Sequence, residues 1–406
     1  MSPPVRILVV DDEAIACQSC ARILGDEGYT VHTTHSGHEG LERIRDNPYD
    51  ILILDLMMPG IGGMDVLQRV RESGQDIDVL MVTDDSTVET AVQAMKLGAF
   101  DYICEPFQPD ELTLVVKRIV EKRQLLSENQ ALQQDLWAKY RLDNIVGTSR
   151  RMEELFRVVA KVAPTNLAVL IRGESGTGKE LIAKAIHFNS LRKSKPFIPV
   201  DCADIPETLL EGELFGHKAG ALIGATTARK GLLEDAQGGT LFLDEISNVS
   251  PTIQPKLLRL LQEQEYRPPG ETRIVKLDVR IVAATNRELM DLVRQGTFRE
   301  DLFYRLNVFS IRVPSLRERK EDIPALTYFF MKKACASSGC QVKRIAAEAM
   351  AMLVACDWPG NVRQLGNVVE SAVILADGGV LGPQHLSLFK HRAGDLHRTS
   401  RGRTGD

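Results

Sequence analysis

Gly173-Glu174-Ser175-Gly176-Thr177-Gly178-Lys179 follows the apolar run Leu167-Ala168-Val169-Leu170-Ile171 and precedes the helical pattern Leu181-Ile182-Ala183-Lys184-Ala185-Ile186. Strand, glycine loop and helix in that order are the setting of a phosphate-binding loop. The glycines let successive backbone N–H groups converge on phosphate oxygens, and the helix that follows adds its positive N-terminal end. Lys179 then reaches the terminal phosphates as a point charge. Glu180 stands where Ser or Thr usually meets magnesium in the general motif. A glycine-rich turn without a ligand is the alternative, and the correct spacing in the correct setting weighs against it.

The chain around this loop has 406 residues, enough for two or three domains each with its own core. Hydrophobic residues make up 44% and charged residues 26%, an ordinary globular composition. A net charge of −5 argues against a surface dominated by nucleic-acid binding, while leaving room for a local basic patch. No apolar run reaches the length of a membrane span, and Met1-Ser2-Pro3-Pro4 carries no signal-peptide pattern, so a cytoplasmic protein is expected. Cys17-Gln18-Ser19-Cys20 has redox or metal-pair spacing, but no second pair completes a metal site and the stretch reads as helix. Buried free thiols are the expectation there.

The first segment alternates strands and helices, which predicts a parallel sheet covered on both faces. Arg6–Val10 reads as a strand ending in Asp11-Asp12, Ile51–Leu54 as one ending in Asp55, and Val79–Val82 as one ending in Thr83. Carboxyl ends of parallel strands gather at one edge, so these four residues should meet there. Carboxylates brought together without a cation repel, which makes magnesium their natural complement. A lone carboxylate at a strand end would be read as a helix cap; with Asp11, Asp12, Asp55 and Thr83 together, capping is the minority reading.

Ile7-Leu8-Val9-Val10-Asp11-Asp12-Glu13, Leu54-Asp55-Leu56-Met57-Met58-Pro59-Gly60 and Gly98-Ala99-Phe100-Asp101-Tyr102 resemble a response-regulator receiver domain, over roughly residues 5–120. The resemblance implies a flavodoxin-like doubly wound fold, Asp55 as phosphoacceptor and Asp11, Asp12 and Asp55 as magnesium ligands. It also implies Thr83 and Tyr102 as residues that reorient on phosphorylation, and a sensor histidine kinase as partner. Where the family has a lysine before the Pro-Phe pair, this chain has Glu105 before Pro106-Phe107. A carboxylate about 4 Å from an aspartyl phosphate repels it by about 4 kcal/mol per unit charge pair at an effective dielectric of 20. Weakened phospho-switching is the expectation. From Leu112 through Tyr140 the pattern is helical, with Leu125, Asn129, Leu132 and Leu136 at the spacing of a short coiled coil. Asn129 at the seam would set the register of a dimer. A solvated connecting helix fits the pattern equally well.

Beyond the phosphate loop, the strand Thr240–Leu243 ends in Asp244-Glu245, the second half of a nucleotide-hydrolysis site. Asp244 can hold magnesium and Glu245 can polarise the attacking water. The strand Val279–Ala284 ends in Thr285-Asn286, where an amide could position that water. Gly173–Glu180, Glu213-Leu214-Phe215-Gly216-His217, Phe298-Arg299-Glu300-Asp301-Leu302 and Trp358-Pro359-Gly360-Asn361-Val362-Arg363 resemble the central domain of NtrC-type activators of sigma-54 RNA polymerase, from about residue 145 to 388. Those are AAA+ ATPases, P-loop α/β domains with a small all-α lid. The resemblance accounts for Glu180, since the family carries Glu there. It further implies ATP bound by residues 173–180, arginine fingers at Arg299 and Arg305, a lid sensor at Arg363, and a hexamer-like ring in which fingers enter a neighbour's site.

Two departures touch coupling. The family's sigma-contacting loop reads Gly-Ala-Phe-Thr-Gly-Ala, whereas this chain has Gly220-Ala221-Leu222-Ile223-Gly224-Ala225, losing an aromatic face at Leu222 and a hydroxyl at Ile223. Asp201 takes the place of an Asn that restrains the catalytic Glu, and an ionised Asp would repel Glu245. After Phe389 the residues are too few and too rich in glycine for a helix-turn-helix, so no dedicated DNA-binding domain is expected. The basic end, with Arg392, Arg398, Arg401 and Arg403, reads as a solvated tail in preference to a phosphate contact.

The expected organisation is thus a receiver (1–120), a helical linker (121–143), an AAA+ α/β core (144–316), a helical lid (317–388) and a disordered basic tail (389–406). The expected function is a two-component response regulator that hydrolyses ATP as a ring and regulates sigma-54-dependent transcription. The competing reading is a regulatory protein that keeps both folds without productive sigma-54 contact. A simple P-loop kinase is disfavoured by the set Asp244, Glu245, Arg299, Arg305 and Arg363.

Overall fold

The computed structural model describes residues 5–84, 88–218, 229–270, 274–338, 344–376 and 379–386. The chain divides into two compact units, Met1–Leu132 and Gln133–Asp406. The first unit alternates β1 (Arg6–Val10), α1 (Ala14–Asp26), β2 (Thr30–Thr34), α2 (Gly37–Asp46), β3 (Ile51–Asp55), α3 (Gly63–Glu72), β4 (Asp78–Thr83), α4 (Val88–Lys96), β5 (Asp101–Cys104) and α5 (Pro109–Lys139). Its five strands are parallel in the order β2-β1-β3-β4-β5. The period-two alternation of side chains divides them between two cores. Leu8, Val10, Leu52 and Leu54 pack on one face with α3, while Ile7, Val9, Ile51 and Ile53 pack on the other with Leu112, Val116 and Ile119 of α5. This two-sided burial is why β1 and β3 read as unbroken apolar runs. Helix α5 begins three residues before the expected Leu112, and its later part exposes Leu125, Leu132 and Leu136. Cys17 and Cys20 are buried free thiols, as expected.

The second unit opens with α6 (Arg150–Val162), β6 (Val169–Arg172), α7 (Lys179–Phe188), β7 (Phe197–Asp201), α8 (Glu207–Phe215), α9 (Leu232–Asp235) and β8 (Thr240–Asp244). There follow α10 (Gln254–Glu263), the hairpin β9 (Glu265–Tyr266) and β10 (Val275–Lys276), then β11 (Arg280–Thr285), α11 (Leu289–Arg294), α12 (Glu300–Leu306) and β12 (Phe309–Arg312). The main sheet is parallel in the order β12-β6-β11-β8-β7, with β6, β8 and β11 side by side at its centre. Strand β6 starts at Val169, because Leu167 lies before the sheet and is substantially exposed. Buried Arg280 donates to the carbonyls of Val162 (2.9 Å) and Ala163 (2.5 Å), closing the C-terminal end of α6 from the sheet side.

The rest of the unit packs α13 (Ile323–Ser338), α14 (Ala347–Ala355) and α15 (Asn361–Leu375) around Leu316, Leu326, Trp358, Leu365 and Val369, with short strands β13 (Arg344–Ile345) and β14 (Val380–Leu381) pairing beside them. The Trp358 indole is buried and donates to the Leu353 carbonyl at 2.8 Å, so its polar edge is satisfied.

Candidate functional site

Strand β6 delivers the chain to the glycine loop at the carboxyl edge of the main sheet, where its neighbours β8 and β11 also end. Gly176 (φ +76°) and Gly178 (φ +102°) take left-handed conformations that let the loop fold back on itself. A Cβ at Gly176 would lie 2.3 Å from the Gly360 carbonyl oxygen, so only glycine permits this approach. Lys179, the first residue of α7, is buried; its Nζ donates to the Gly173 carbonyl (3.2 Å) and meets Glu245 Oε1 at 3.1 Å. Glu180 is exposed and pairs with Lys184 one turn along α7.

Asp244 ends β8 and accepts the Glu245 N–H at 3.0 Å. Burial pushes its carboxyl above the usual range. Glu245 adopts a left-handed backbone (φ +49°), and its second oxygen accepts the backbone N–H of Asn286 at 3.2 Å, just past the end of β11. Asn286 therefore engages the acid through its main chain. Asp201, at the end of β7 and in register with Asp244, turns its carboxylate to the Ala203 N–H at 2.8 Å. From the lid side, Arg363 places a guanidinium nitrogen 3.4 Å from the Ser175 hydroxyl, and its backbone N–H donates to Gly176 O at 3.2 Å. Loop, strand ends and lid enclose a cleft of about 640 Å³, the size that suits a nucleotide. Lys179, Asp244, Glu245, Asn286 and Arg363 all line it.

Arg299 and Arg305 do not line this cleft. Arg299 forms a bidentate ion pair with Asp301 (3.0 and 2.7 Å) just before α12, and Arg305 donates to the Leu261 carbonyl at 3.2 Å. Leu222 and Ile223 of the expected sigma-contact loop lie outside the described residues. Immediately around that segment, His217 and Arg229 pair in antiparallel fashion, so the chain leaves and re-enters side by side.

In the first unit, carboxylate oxygens of Asp11, Asp12 and Asp55 lie within 4.8 Å of one another. This hard oxygen donor set suits a divalent cation such as magnesium. A Cβ at Gly63 would fall 2.1 Å from the Asp55 carbonyl oxygen, so glycine there lets α3 begin directly against the acidic strand end. Burial raises the Asp11 and Asp55 carboxyls, opposed by backbone N–H groups of Glu13 (2.7 Å) and Met57 (3.1 Å). Thr83 is buried at the end of β4, and Tyr102 on β5 is exposed. Burial, and next the charges of Asp11 and Asp55, push the Glu105 carboxyl above its usual range. Glu105 thus belongs electrostatically to the acidic cluster.

Residues 7–117 match the response regulator receiver domain, 145–312 the sigma-54 interaction domain and 317–401 the AAA+ ATPase lid domain. The regulatory protein AtoC of Escherichia coli K12 is 43% identical over 94% of this chain and 83% of its own length. The chain belongs to the NtrC-type response regulators. The transcriptional regulatory protein ZraR of the same strain is 42% identical over 95% of this chain and 86% of its own, and NtrC of Azospirillum brasilense 43% over 93% and 77%. The crystal structure of NtrX from Brucella abortus in complex with ATP aligns at a TM-score of 0.61, with 40% identity over 93% of this chain and 81% of that one. As an NtrC-type regulator the chain therefore combines a parallel α/β receiver, an AAA+ α/β domain and a helical lid. Among the described residues no helix is long and apolar enough to cross a membrane.

Sequence reasoning about this NtrC-type chain missed the segment joining core to lid. Asp322, fully buried, accepts the N–H groups of Thr148 and Ser149 (both 2.7 Å) and the Ser149 hydroxyl (2.8 Å), tying the lid's first turn to the start of α6. Arg319, also buried, donates to the Thr177 carbonyl at 3.0 Å beneath the phosphate loop. The only sequence signal was the density of charge in Leu316-Arg317-Glu318-Arg319-Lys320-Glu321-Asp322, which reads as a solvated turn.

Proposed function

We propose that this protein is a two-component response regulator whose AAA+ domain binds and hydrolyses ATP as a ring oligomer, in the cytoplasm, to regulate sigma-54-dependent transcription. The observation that carries the reading is the convergence of Lys179, Asp244, Glu245 and Arg363 on one cleft while Arg299 and Arg305 stand outside it. The loop amides of residues 173–178 and Lys179 take the β- and γ-phosphates of ATP, and Glu180 borders them at the start of α7. Magnesium, held through Asp244, neutralises phosphate charge when bound. Glu245 accepts a proton from the attacking water, Asn286 keeps that carboxylate in place, and Arg363 senses the γ-phosphate from the lid. Arg299 and Arg305 complete a neighbour's site in trans, which requires assembly.

In the receiver (1–120), Asp55 accepts a phosphoryl group from a sensor histidine kinase, with magnesium on Asp11, Asp12 and Asp55. Thr83, Tyr102 and Glu105 answer the change of charge. The linker (121–143) offers exposed Leu125, Asn129, Leu132 and Leu136 as a dimer seam, followed by the core (144–316), the lid (317–388) and the tail (389–406). A second reading, a regulator that keeps both folds without productive sigma-54 contact, is favoured by Leu222 and Ile223 in the coupling loop. Measuring ATPase rate against protein concentration, with and without sigma-54, separates the two. Activity that rises with concentration and supports open-complex formation establishes the first reading. The same activity with no response to sigma-54 establishes the second. No hydrolysis at any concentration defeats the ATPase claim common to both.

A further inference from the structure

Four successive residues of the phosphate loop are held by the lid and the segment leading to it. Glu174 Oε2 accepts from Arg317 Nη1 at 2.9 Å, and its other oxygen pairs with Arg317 Nη2. The same Oε2 accepts from the Asn361 side-chain amide at 3.1 Å, and that amide also donates to the Ser175 carbonyl at 3.0 Å. Gly176 O accepts from the Arg363 backbone N–H, and Thr177 O from Arg319. Asn361 is fully buried with a left-handed backbone (φ +52°), and its Oδ1 takes the Leu316 N–H at 2.8 Å, joining lid, connecting segment and loop through one side chain. Glu174 itself does not line the cleft.

The chemistry of the loop gives these ties a purpose. In a trans peptide unit the C=O of one residue and the N–H of the next point in opposite directions. Holding the carbonyls of Ser175 and Thr177 outward therefore sends the N–H groups of Gly176 and Gly178 the other way, the orientation an anion needs. The loop also contains a carboxylate next to where a triphosphate would lie. The Arg317 fork cancels that charge and holds the Glu174 carboxyl below its usual range.

We propose that Arg317, Arg319 and Asn361, with Glu174 as their anchor, are positioning residues for the nucleotide phosphates. They set the loop in its phosphate-receiving shape before the ligand arrives, and Arg317 keeps Glu174 from repelling it. This rests on the nucleotide-binding reading of the cleft. Preorganisation of this kind acts on affinity by removing the cost of ordering the loop on binding.

The test is titration of the full chain with a fluorescent ATP analogue, alongside steady-state ATPase kinetics. Arg317→Ala leaves Glu174 uncompensated and should raise Kd about tenfold, whereas Glu174→Gln, which removes the charge, should raise it about threefold. The double variant E174Q/R317A should bind about as well as E174Q and better than R317A, a coupling that loss of packing alone does not produce. The loss should fall on KM, with kcat at saturating ATP within about threefold of the unaltered protein. A Kd for R317A within twofold of the unaltered protein, or losses that simply multiply in the double variant, overturns the proposal. Lys179→Ala is the control: if it binds the analogue normally, the reading of the cleft itself fails. Should R317A not fold, R317K, which keeps the charge and loses the fork, is compared with E174Q. Unchanged binding in both overturns the proposal.

Discussion

Glu105 is the sharpest departure in the receiver, and replacing it with lysine tests what it does. Its carboxyl is half-buried beside the acidic cluster and responds to the charges of Asp11 and Asp55. Phosphorylation of Asp55 adds about one further negative charge at that spot. Taking a separation of about 5 Å, slightly longer than direct contact, and an effective dielectric of 20, each unit charge pair is worth about 3 kcal/mol. Changing −1 to +1 therefore swings the phosphorylated state by about 6 kcal/mol, and partial exposure of Glu105 halves this to about 3 kcal/mol, roughly a hundredfold in the phosphorylation equilibrium. The assay incubates each protein with a small-molecule phosphodonor and magnesium and separates the species on a phosphate-affinity gel. Glu105→Lys should label to a much higher level than the unaltered protein, and Glu105→Gln should gain about half as much on a logarithmic scale, because it removes repulsion without adding attraction. Asp55→Asn should abolish labelling in all backgrounds. Near-complete labelling of the unaltered protein, with no gain in either variant, would refute the electrostatic argument and mean that another cation serves the phosphate.

Arg305→Ala should retain nucleotide binding yet lose about a thousandfold in turnover, the range for arginine fingers, and a monomer that hydrolyses at full rate would sink the claim. The double change Leu222→Phe, Ile223→Thr should strengthen the complex with sigma-54, formed with a transition-state analogue of ATP, by about tenfold at nearly unchanged ATPase rate. Tight sigma-54 binding by the unaltered protein contradicts it. His187 is buried against Thr240 (2.9 Å), and burial lowers its pKa to about 4 from 6.5. The unfolded chain takes up a proton below pH 6.5 that the native state refuses, so this residue's share of stability falls as pH drops from 6.5 towards 4, by about 3 kcal/mol at the limit. Thermal unfolding at pH 7.5 and pH 5 should show a smaller drop in Tm for His187→Gln than for the unaltered protein, and equal drops would show that the imidazole titrates freely in the fold.

What the sequence made legible was local. Strands β1, β3, β4 and β8 are short apolar runs that end in a carboxylate or threonine, and the phosphate loop is contiguous, so spacing alone places Asp11, Asp55, Asp244 and Lys179 at strand ends or at the start of a helix. In the lid, the apolar spacing reads as helix over Ala346–Leu353 and Val362–Leu375, within two residues of the ends of α14 and α15. The ties between loop and lid were not legible. Glu174 and Asn361 are 187 residues apart, Thr177 and Arg319 are 142 apart, and Asp322 reaches back 174 residues to Thr148. Nothing in a charged turn announces which of its members will be buried, because that depends on surfaces supplied by distant parts of the chain. Glu174 shows the same limit: the motif assigns it to the phosphate, whereas its carboxylate serves Arg317 and Asn361.

The ion pair between Lys179 and Glu245 has a consequence for the order of events in the cleft. The Lys179 ammonium has three N–H donors, and the Gly173 carbonyl and Glu245 take two of them, leaving one for a phosphate oxygen. In the proposed nucleotide-binding reading, a phosphate there shares one positive charge with Glu245, so each anion weakens the hold of Lys179 on the other. On the proposed hydrolytic reading, this ion pair holds Glu245 until a nucleotide arrives, and binding of ATP would loosen that hold on the carboxylate.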